Sequence, residues 1–156
     1  MQIRQATSAD LDQVAPLFDA YRQFYRLAPD LPLARAFIAE RLSRGDSTIY
    51  MAEEQGAGLG FVQLFPVFSS TAVVPGRLWL LNDLYVIPAA RGRRVGHGLM
   101  ERARELGLAT GARGLFLQTA RDNTPAQRLY EALGYRRDEQ FLVYELDLQQ
   151  HGTTPA

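Results

Sequence analysis

Residues 91–98 read Arg-Gly-Arg-Arg-Val-Gly-His-Gly and place three arginines and three glycines within eight positions. They follow an apolar stretch, 78–87, and open a segment with helical spacing, 95–110. A strand that enters a helix through such a loop is built for anions. The first turn of a helix carries N–H groups without intrahelical acceptors, and the dipole sets its positive end there. Gly96 and Gly98 leave room for a phosphate to approach the backbone, and the arginines add formal charge, so a pyrophosphate fits. A plain strand–helix turn with a solvated basic loop is the competing explanation.

Two phosphate motifs are excluded. No Gly-Lys-Ser/Thr follows, so this is not a P-loop. Nor is there a Gly-x-Gly-x-x-Gly, or an acidic residue ending the next strand, as a dinucleotide fold requires. A second constellation lies at 119–135, Thr-Ala-Arg-Asp-Asn-Thr-Pro-Ala-Gln-Arg-Leu-Tyr-Glu-Ala-Leu-Gly-Tyr. Together, the loop and the Asn123-x-x-Ala126-x-x-x-Tyr130 helix with Leu133-Gly134-Tyr135 resemble the GNAT superfamily of N-acetyltransferases. The opening Ile3-Arg4-x-Ala6-Thr7 with Asp10 agrees, so the resemblance covers most of the chain.

That resemblance implies an acyl-CoA N-acyltransferase fold with acetyl-CoA as cofactor. The pyrophosphate would lie on Arg91, Gly92, Arg93, Arg94, Val95, Gly96, His97 and Gly98. The backbone of Leu84, Tyr85 and Val86 would pair with the pantetheine arm, and Asn123 and Ala126 would complete the cofactor site. Tyr130 would protonate the leaving thiolate, a role that suits a phenol neutral at pH 7. Its competing role is a core aromatic on an amphipathic helix. The loop departs from the family pattern in one place. Aligned on Arg91, it has Arg94 where a glycine is usual. A literal Arg-x-x-Gly-x-Gly also appears two residues on, from Arg93 to Gly98. The first register keeps Pro88, Gly96 and Leu99 in their usual places.

Amine acetylation needs a neutral amine at the moment of attack. Asp83, in an apolar strand just before the cofactor-binding backbone, is the candidate base. It could instead bind a cationic amine or face solvent. Tyr21, Phe24 and Tyr25 would wall an acceptor pocket by cation–π contact, or pack into the core. Tyr21-x-x-Phe24-Tyr25 and Leu84-Tyr85-Val86 also resemble the histone- and polyamine-acetylating branch. This suggests a small amine, a polyamine or a basic peptide as acceptor. A homodimer contact through the apolar stretch 141–148 is a further expectation. Direct attack in a ternary complex is favoured, because no side chain offers an evident covalent nucleophile. A non-catalytic acyl-CoA-binding module is the alternative.

These residues need a scaffold. The periodicity predicts the order β-α-α-β-β-β-α-β-α-β, a mixed α/β sheet with helices on both faces. A short strand covers 2–6. Thr7 with Asp10, or Ser8, caps a helix that carries Leu11, Val14, Leu17, Phe18 and Tyr21. Pro29 and Pro32 break it, and a second helix runs over 33–43. Strands follow at 47–53, 59–68 and 78–87, with a hairpin turn at 55–58. A crossover helix from Val95 then leads to a strand at 115–119, and crossovers join parallel strands. Pro125 opens a helix to Leu133, and one or two final strands occupy 136–148.

Composition agrees. A chain of 156 residues, 47% hydrophobic and 22% charged, is that of one globular domain. That domain is expected over 1–150, with 151–156 a frayed tail. Seventeen basic and seventeen acidic residues cancel, which gives no electrostatic case for nucleic acid. Zero cysteines exclude disulfides and a cysteine nucleophile, and no metal site is expected. No apolar run is long enough for a membrane span and no secretory signal opens the chain, so a cytoplasmic location is expected.

Overall fold

The computed structural model describes residues 1–70 and 76–148, and the expected tail at 151–156 lies outside them. It divides into two compact units, Met1–Gln118 and Thr119–Ala156.

The first unit is a five-stranded sheet in the order β1-β2-β3-β4-β5. The strands are β1 Gln2–Gln5, β2 Thr48–Glu54, β3 Ala57–Ser69, β4 Gly76–Val86 and β5 Gly114–Leu117, with helices α1 Leu11–Phe24, α2 Leu31–Arg44 and α3 Val95–Ala109. Neighbours from β1 to β4 are antiparallel, and β4 pairs with β5 in parallel after the α3 crossover. The mixed sheet expected from the periodicity is therefore present. The β2–β3 hairpin turns on Gln55 and Gly56 alone, both at positive φ (53° and 78°), the geometry that matches the twist of the flanking strands.

Strand alternation sends side chains to opposite faces. Ile49, Met51, Phe61 and Tyr85 form one core with Val14, Leu17, Phe18, Ala34 and Ile38 of α1 and α2. On the other face α3 crosses the sheet. Arg102 stacks 5.3 Å over the Tyr50 ring, and Gly98 closes on Ile3, where an added Cβ would lie 2.5 Å from the Ile3 Cδ1.

Helix starts follow local chemistry. The Thr7 N–H and hydroxyl both donate to the Asp10 carboxylate (2.7 and 3.0 Å), as the capping pattern predicts. Asp10 also accepts from both terminal nitrogens of Arg4 (2.9 and 2.7 Å), whose Nε and Nη2 bind Glu53 (both 3.0 Å). That arginine holds the Asp10 carboxyl well below the usual carboxylate range. The second helix begins two residues earlier than expected. Pro32 sits in its first turn, where the missing N–H costs nothing, and Asp30 caps the Leu33 N–H at 3.0 Å.

In the second unit, α4 spans Thr124–Ala132. Asn123 is its N-cap, with Oδ1 accepting from the Ala126 N–H at 3.4 Å. Pro125 lies in the first turn, and Gly134 (φ 88°) closes the helix. The expected final strands do not form, since residues 136–148 carry no strand. Apolar alternation makes a strand possible, but a strand exists only where a partner satisfies its backbone. Here Asp138 instead turns the chain, accepting from the Gln140 and Phe141 N–H groups (2.8 and 3.1 Å).

Candidate active site

The site elements of the first unit converge where β4 leaves β5. β5 pairs with β4 only from Leu78 to Leu81, whereas β4 runs on to Val86. The register with β3 slips at the same place: Gln63 faces Asp83, but Leu64 faces Leu81. Asn82 is the extra residue of a β-bulge, which bends a strand and re-aims its side chains. Strict alternation would put Trp79, Leu81, Asp83 and Tyr85 on one face. The bulge divides them. The Trp79 indole reaches the C-terminal end of α3, donating to the Thr110 hydroxyl at 2.9 Å. Tyr85 lies on the α1 side, paired with Phe61, its ring 6.5 Å from that of Tyr21.

Beyond the bulge, the backbone of β4 points outward at alternate residues. Ile87 donates to the Leu59 carbonyl (2.9 Å) across the Gly60–Val86 pair. In an antiparallel ladder, this makes Gly60–Val86 a non-hydrogen-bonded pair. The N–H and C=O groups of Val86, and of Leu84 two residues earlier, therefore face away from β3. Gly60 permits this approach, since a Cβ there would lie 2.4 Å from the Tyr85 carbonyl oxygen. An extended ligand with amide groups can pair with such an edge as an added strand.

At the end of β4, a 3-10 turn at Pro88–Ala90 leads into the arginine-rich loop. Arg91 folds back: its Nε donates to the Val86 carbonyl at 3.1 Å, and its guanidinium lies 5.9 Å from the Phe24 ring and 6.0 Å from that of Tyr85. Arg93 turns to Glu54 (2.7 Å) and holds that carboxyl below its ordinary value. Arg94 is the N-cap residue of α3, with φ +62° and no capping hydrogen bond from its side chain. Its Nη2 lies 3.4 Å from the His97 Nε2. The left-handed conformation is the one a glycine would adopt without cost. Val95 is buried, so only its backbone faces the loop. The first-turn amides of α3 have no intrahelical acceptor, while the Gly98 N–H is used in the helix by the Arg94 carbonyl (3.0 Å). A strand edge with outward backbone groups at Leu84 and at the Val86 N–H, beside an uncapped, arginine-flanked helix start, fits a long ligand with an amide arm and a pyrophosphate, the Val86 carbonyl being held by Arg91.

Behind the edge lies a buried polar cluster. Asp83 is 3% exposed. Its Oδ2 accepts from Gln63 Nε2 at 2.6 Å and its Oδ1 from Asn82 Nδ2 at 3.0 Å. Gln63, fully buried, is oriented by Ser47, whose hydroxyl donates to its Oε1 at 2.9 Å. The Tyr21 hydroxyl donates to the Asn82 carbonyl at 3.2 Å. Burial pushes the Asp83 carboxyl above its ordinary value, against the opposing pull of its Gln63, Asn82 and Tyr21 contacts. Burial, with the Asp83 charge nearby, also pushes the Tyr21 phenol up. Asp83 does not face solvent.

Tyr21 packs edge-on against Phe61 (6.0 Å) and Tyr25 (5.1 Å), and Tyr25 against Phe24 (5.4 Å). Tyr25 and Phe24 stay 44% and 50% exposed. Tyr21 thus belongs to the core edge, and the other two are surface aromatics. In the second unit, Tyr130 is buried, its ring 6.0 Å from that of Tyr135. Gln63, Ser47 and Gly60 escaped the sequence reading. Their only local signal was a polar residue within the apolar run of β3, and its partner lies 20 residues away. No cluster of metal-ligating side chains occurs among the described residues.

Comparison with known proteins agrees with this geometry. A model of the Acetyltransferase (GNAT) family matches residues 12–135. The chain is 45% identical over 148 residues to YhfO of Bacillus subtilis (strain 168), named as an uncharacterized N-acetyltransferase, covering 95% of this chain and 98% of that one. It is 28% identical to a probable acetyltransferase of Haemophilus influenzae, over 95% and 99% of the two chains. A crystal structure of a probable acetyltransferase superposes with a TM-score of 0.87 at 40% identity, covering 95% of this chain and 98% of that one. The aminoglycoside N-acetyltransferase AAC(6')-Iy, solved in complex with CoA, shares the fold at 21% identity (TM-score 0.79, 93% of each chain). The class so defined is that of acetyltransferases. This chain belongs to its GNAT family, the acetyl-CoA-dependent N-acetyltransferases.

Proposed function

We propose that this chain moves the acetyl group of acetyl-CoA to a primary amine by direct attack in a ternary complex. The outward-facing edge of Leu84 and Val86, running into the uncapped first turn of α3, carries this reading. Leu84 and Val86 supply outward backbone groups for the pantetheine arm, whereas the N–H and C=O of Tyr85 turn to Phe61 of β3 and supply none. Within 91–98, the first-turn amides of α3 and the Arg91 and Arg94 side chains are the groups offered to the pyrophosphate, with Arg94 in the position of the usual glycine. Gly98 instead packs on Ile3 with its N–H bonded inside the helix, and Arg93 is held by Glu54. Asn123, Ala126 and Tyr130 match the family pattern in the second unit. The family match runs through both units, which supports one acetyltransferase domain over 1–150.

In the reaction, an N–C bond forms and the thioester C–S bond breaks. The amine loses a proton and the departing sulfur gains one. Asp83, buried behind the β4 edge, takes the amine proton through an intervening water. Tyr130 donates to the sulfur. Tyr21, Phe24 and Tyr25 border the acceptor, a small amine, a polyamine or a basic peptide. The exposed side chains at 141–148, with Phe141 77% and Leu148 73% exposed, support a homodimer. No helix of the described residues is long and apolar enough to cross a membrane, which is compatible with a cytoplasmic enzyme.

Tyr130→Phe tests the acid. With a broad amine panel, its kcat should fall by about 10²-fold or more while CoA still binds. Full turnover in the variant would disprove the assignment. CoA binding without acetylation of any amine by wild-type protein would favour a non-catalytic acyl-CoA-binding module.

A further inference from the structure

Asp83 is 3% exposed, yet a base takes up a proton and releases it in every turnover. A group in contact with it must therefore carry the proton in and out. Among the described residues, the side chains that act on its carboxylate are Gln63, Asn82 and Tyr21. Gln63 and Asn82 meet it through amide nitrogens, which only donate. An amide passes a proton on only through a disfavoured imidic form. Gln63 is also fully buried, with Ser47 behind it. A hydroxyl is different. It donates one hydrogen, accepts on two lone pairs, and its hydrogen rotates to suit.

Tyr21 stands where such a group is needed. Its half-buried ring packs edge-on against Phe61 and Tyr85 (6.0 and 6.5 Å), the next same-face pair of the β3–β4 ladder beside Gln63–Asp83. Its hydroxyl donates to the Asn82 carbonyl at 3.2 Å, on the exposed side of the cluster. Turned to that carbonyl, as here, the hydroxyl leaves a lone pair for a protonated Asp83. Turned to Asp83, it serves the carboxylate. One hydroxyl thus partners both protonation states of a buried acid, and neither state leaves an unpaired polar group, which is costly when buried. Burial, with the Asp83 charge nearby, pushes the phenol up, so Tyr21 stays neutral and gives a proton only as it takes one.

Resting on the assignment of Asp83 as base, we propose that the Tyr21 hydroxyl is the proton relay between the acceptor site and Asp83. The water that takes the amine proton gives one of its own to Tyr21 Oη, and the Tyr21 hydrogen moves to an Asp83 oxygen. One N–H bond breaks at the amine, one O–H bond forms on Asp83, and water and Tyr21 end as they began. Once the product has left, the same path in reverse returns the proton to solvent.

Tyr21→Phe keeps the ring and removes the relay. Acetyl transfer is followed in single turnover, with whichever of benzylamine, spermidine and a lysine-containing tripeptide wild-type protein acetylates fastest. The variant should slow transfer about tenfold or more, with CoA affinity by calorimetry unchanged. In the Asp83→Asn background the same change should alter the rate by less than about twofold, because the relay then has no destination. Effects that multiply would make Tyr21 a structural residue and overturn the relay. For wild-type protein, the transfer rate in mixtures of light and heavy water should follow a curve in deuterium fraction, as two or more protons moving together require. A straight line overturns the relay even if the variant misfolds. Full transfer rate in Tyr21→Phe, with Asp83→Asn slow, overturns the relay alone. Full rate in Asp83→Asn overturns the base assignment and this inference with it, as does wild-type protein that binds CoA but acetylates none of the three amines.

Discussion

Replacing Gln63 with leucine removes the shortest hydrogen bond to the buried carboxylate while keeping the side chain near its original size. Gln63 Nε2 lies 2.6 Å from Asp83 Oδ2, and both residues are buried. A hydrogen bond to a charged group contributes about 1.5–3 kcal/mol, against roughly 1 kcal/mol for a neutral pair. Only the ionised form of Asp83 receives the larger amount, so the variant should raise the pH at which Asp83 titrates.

The sign for stability follows. Burial already holds the Asp83 carboxyl above its ordinary value. The folded protein therefore binds this proton more tightly than the unfolded chain does. The stability linked to it is present below the unfolded pKa and is lost as pH rises through the folded one. Gln63→Leu should enlarge that loss. At pH 8 the variant should be less stable than wild type by about 2 kcal/mol, and at pH 4 by about 1 kcal/mol. Urea unfolding at the two values, with a carbon-13 carboxyl titration of Asp83, measures both effects. In active protein, the acid limb of the kcat/KM profile should move to higher pH. An unmoved Asp83 titration, or an equal stability deficit at pH 4 and pH 8, would show that Gln63 does not hold the charge.

Two other changes probe the backbone at the site. Gly60→Ala sets a methyl 2.4 Å from the Tyr85 carbonyl oxygen, where backbone rather than a flexible side chain must yield; it should cost about 1–3 kcal/mol in thermal unfolding, and an unchanged midpoint would refute the close approach. Arg94→Gly removes a left-handed arginine (φ +62°) and should stabilise the chain by about 0.5–1 kcal/mol, because the strain relieved exceeds the entropy glycine adds to the unfolded chain; destabilisation by that amount would contradict it.

The residues of the loop and the fourth helix were enough to suggest the family, because those chemical types recur at short, fixed spacings. The mixed character of the sheet was also legible. Period-two runs joined by short turns must pair as neighbours, and the helix after Val95 had to return the chain in parallel. Helix caps were readable for the same local reason, although Asp30 and Pro32 start α2 two residues earlier than the prolines suggested.

The sequence did not determine whether 136–148 forms a strand. Apolar alternation states only a preference, and pairing depends on a partner elsewhere in space. Nor could it show that Asn82 is a bulge, because a bulge is a relation between two strands. Yet that one residue separates Trp79 and Leu81 from Asp83 and Tyr85, buries the carboxylate against Gln63 and Tyr21, and leaves the edge beyond it outside the reach of β5. The sequence determined which residues have the chemistry for acetyl transfer. Tertiary structure decided what surrounds Asp83, because desolvation and the hydrogen bond from Gln63 arise only when β3 and β4 are in register.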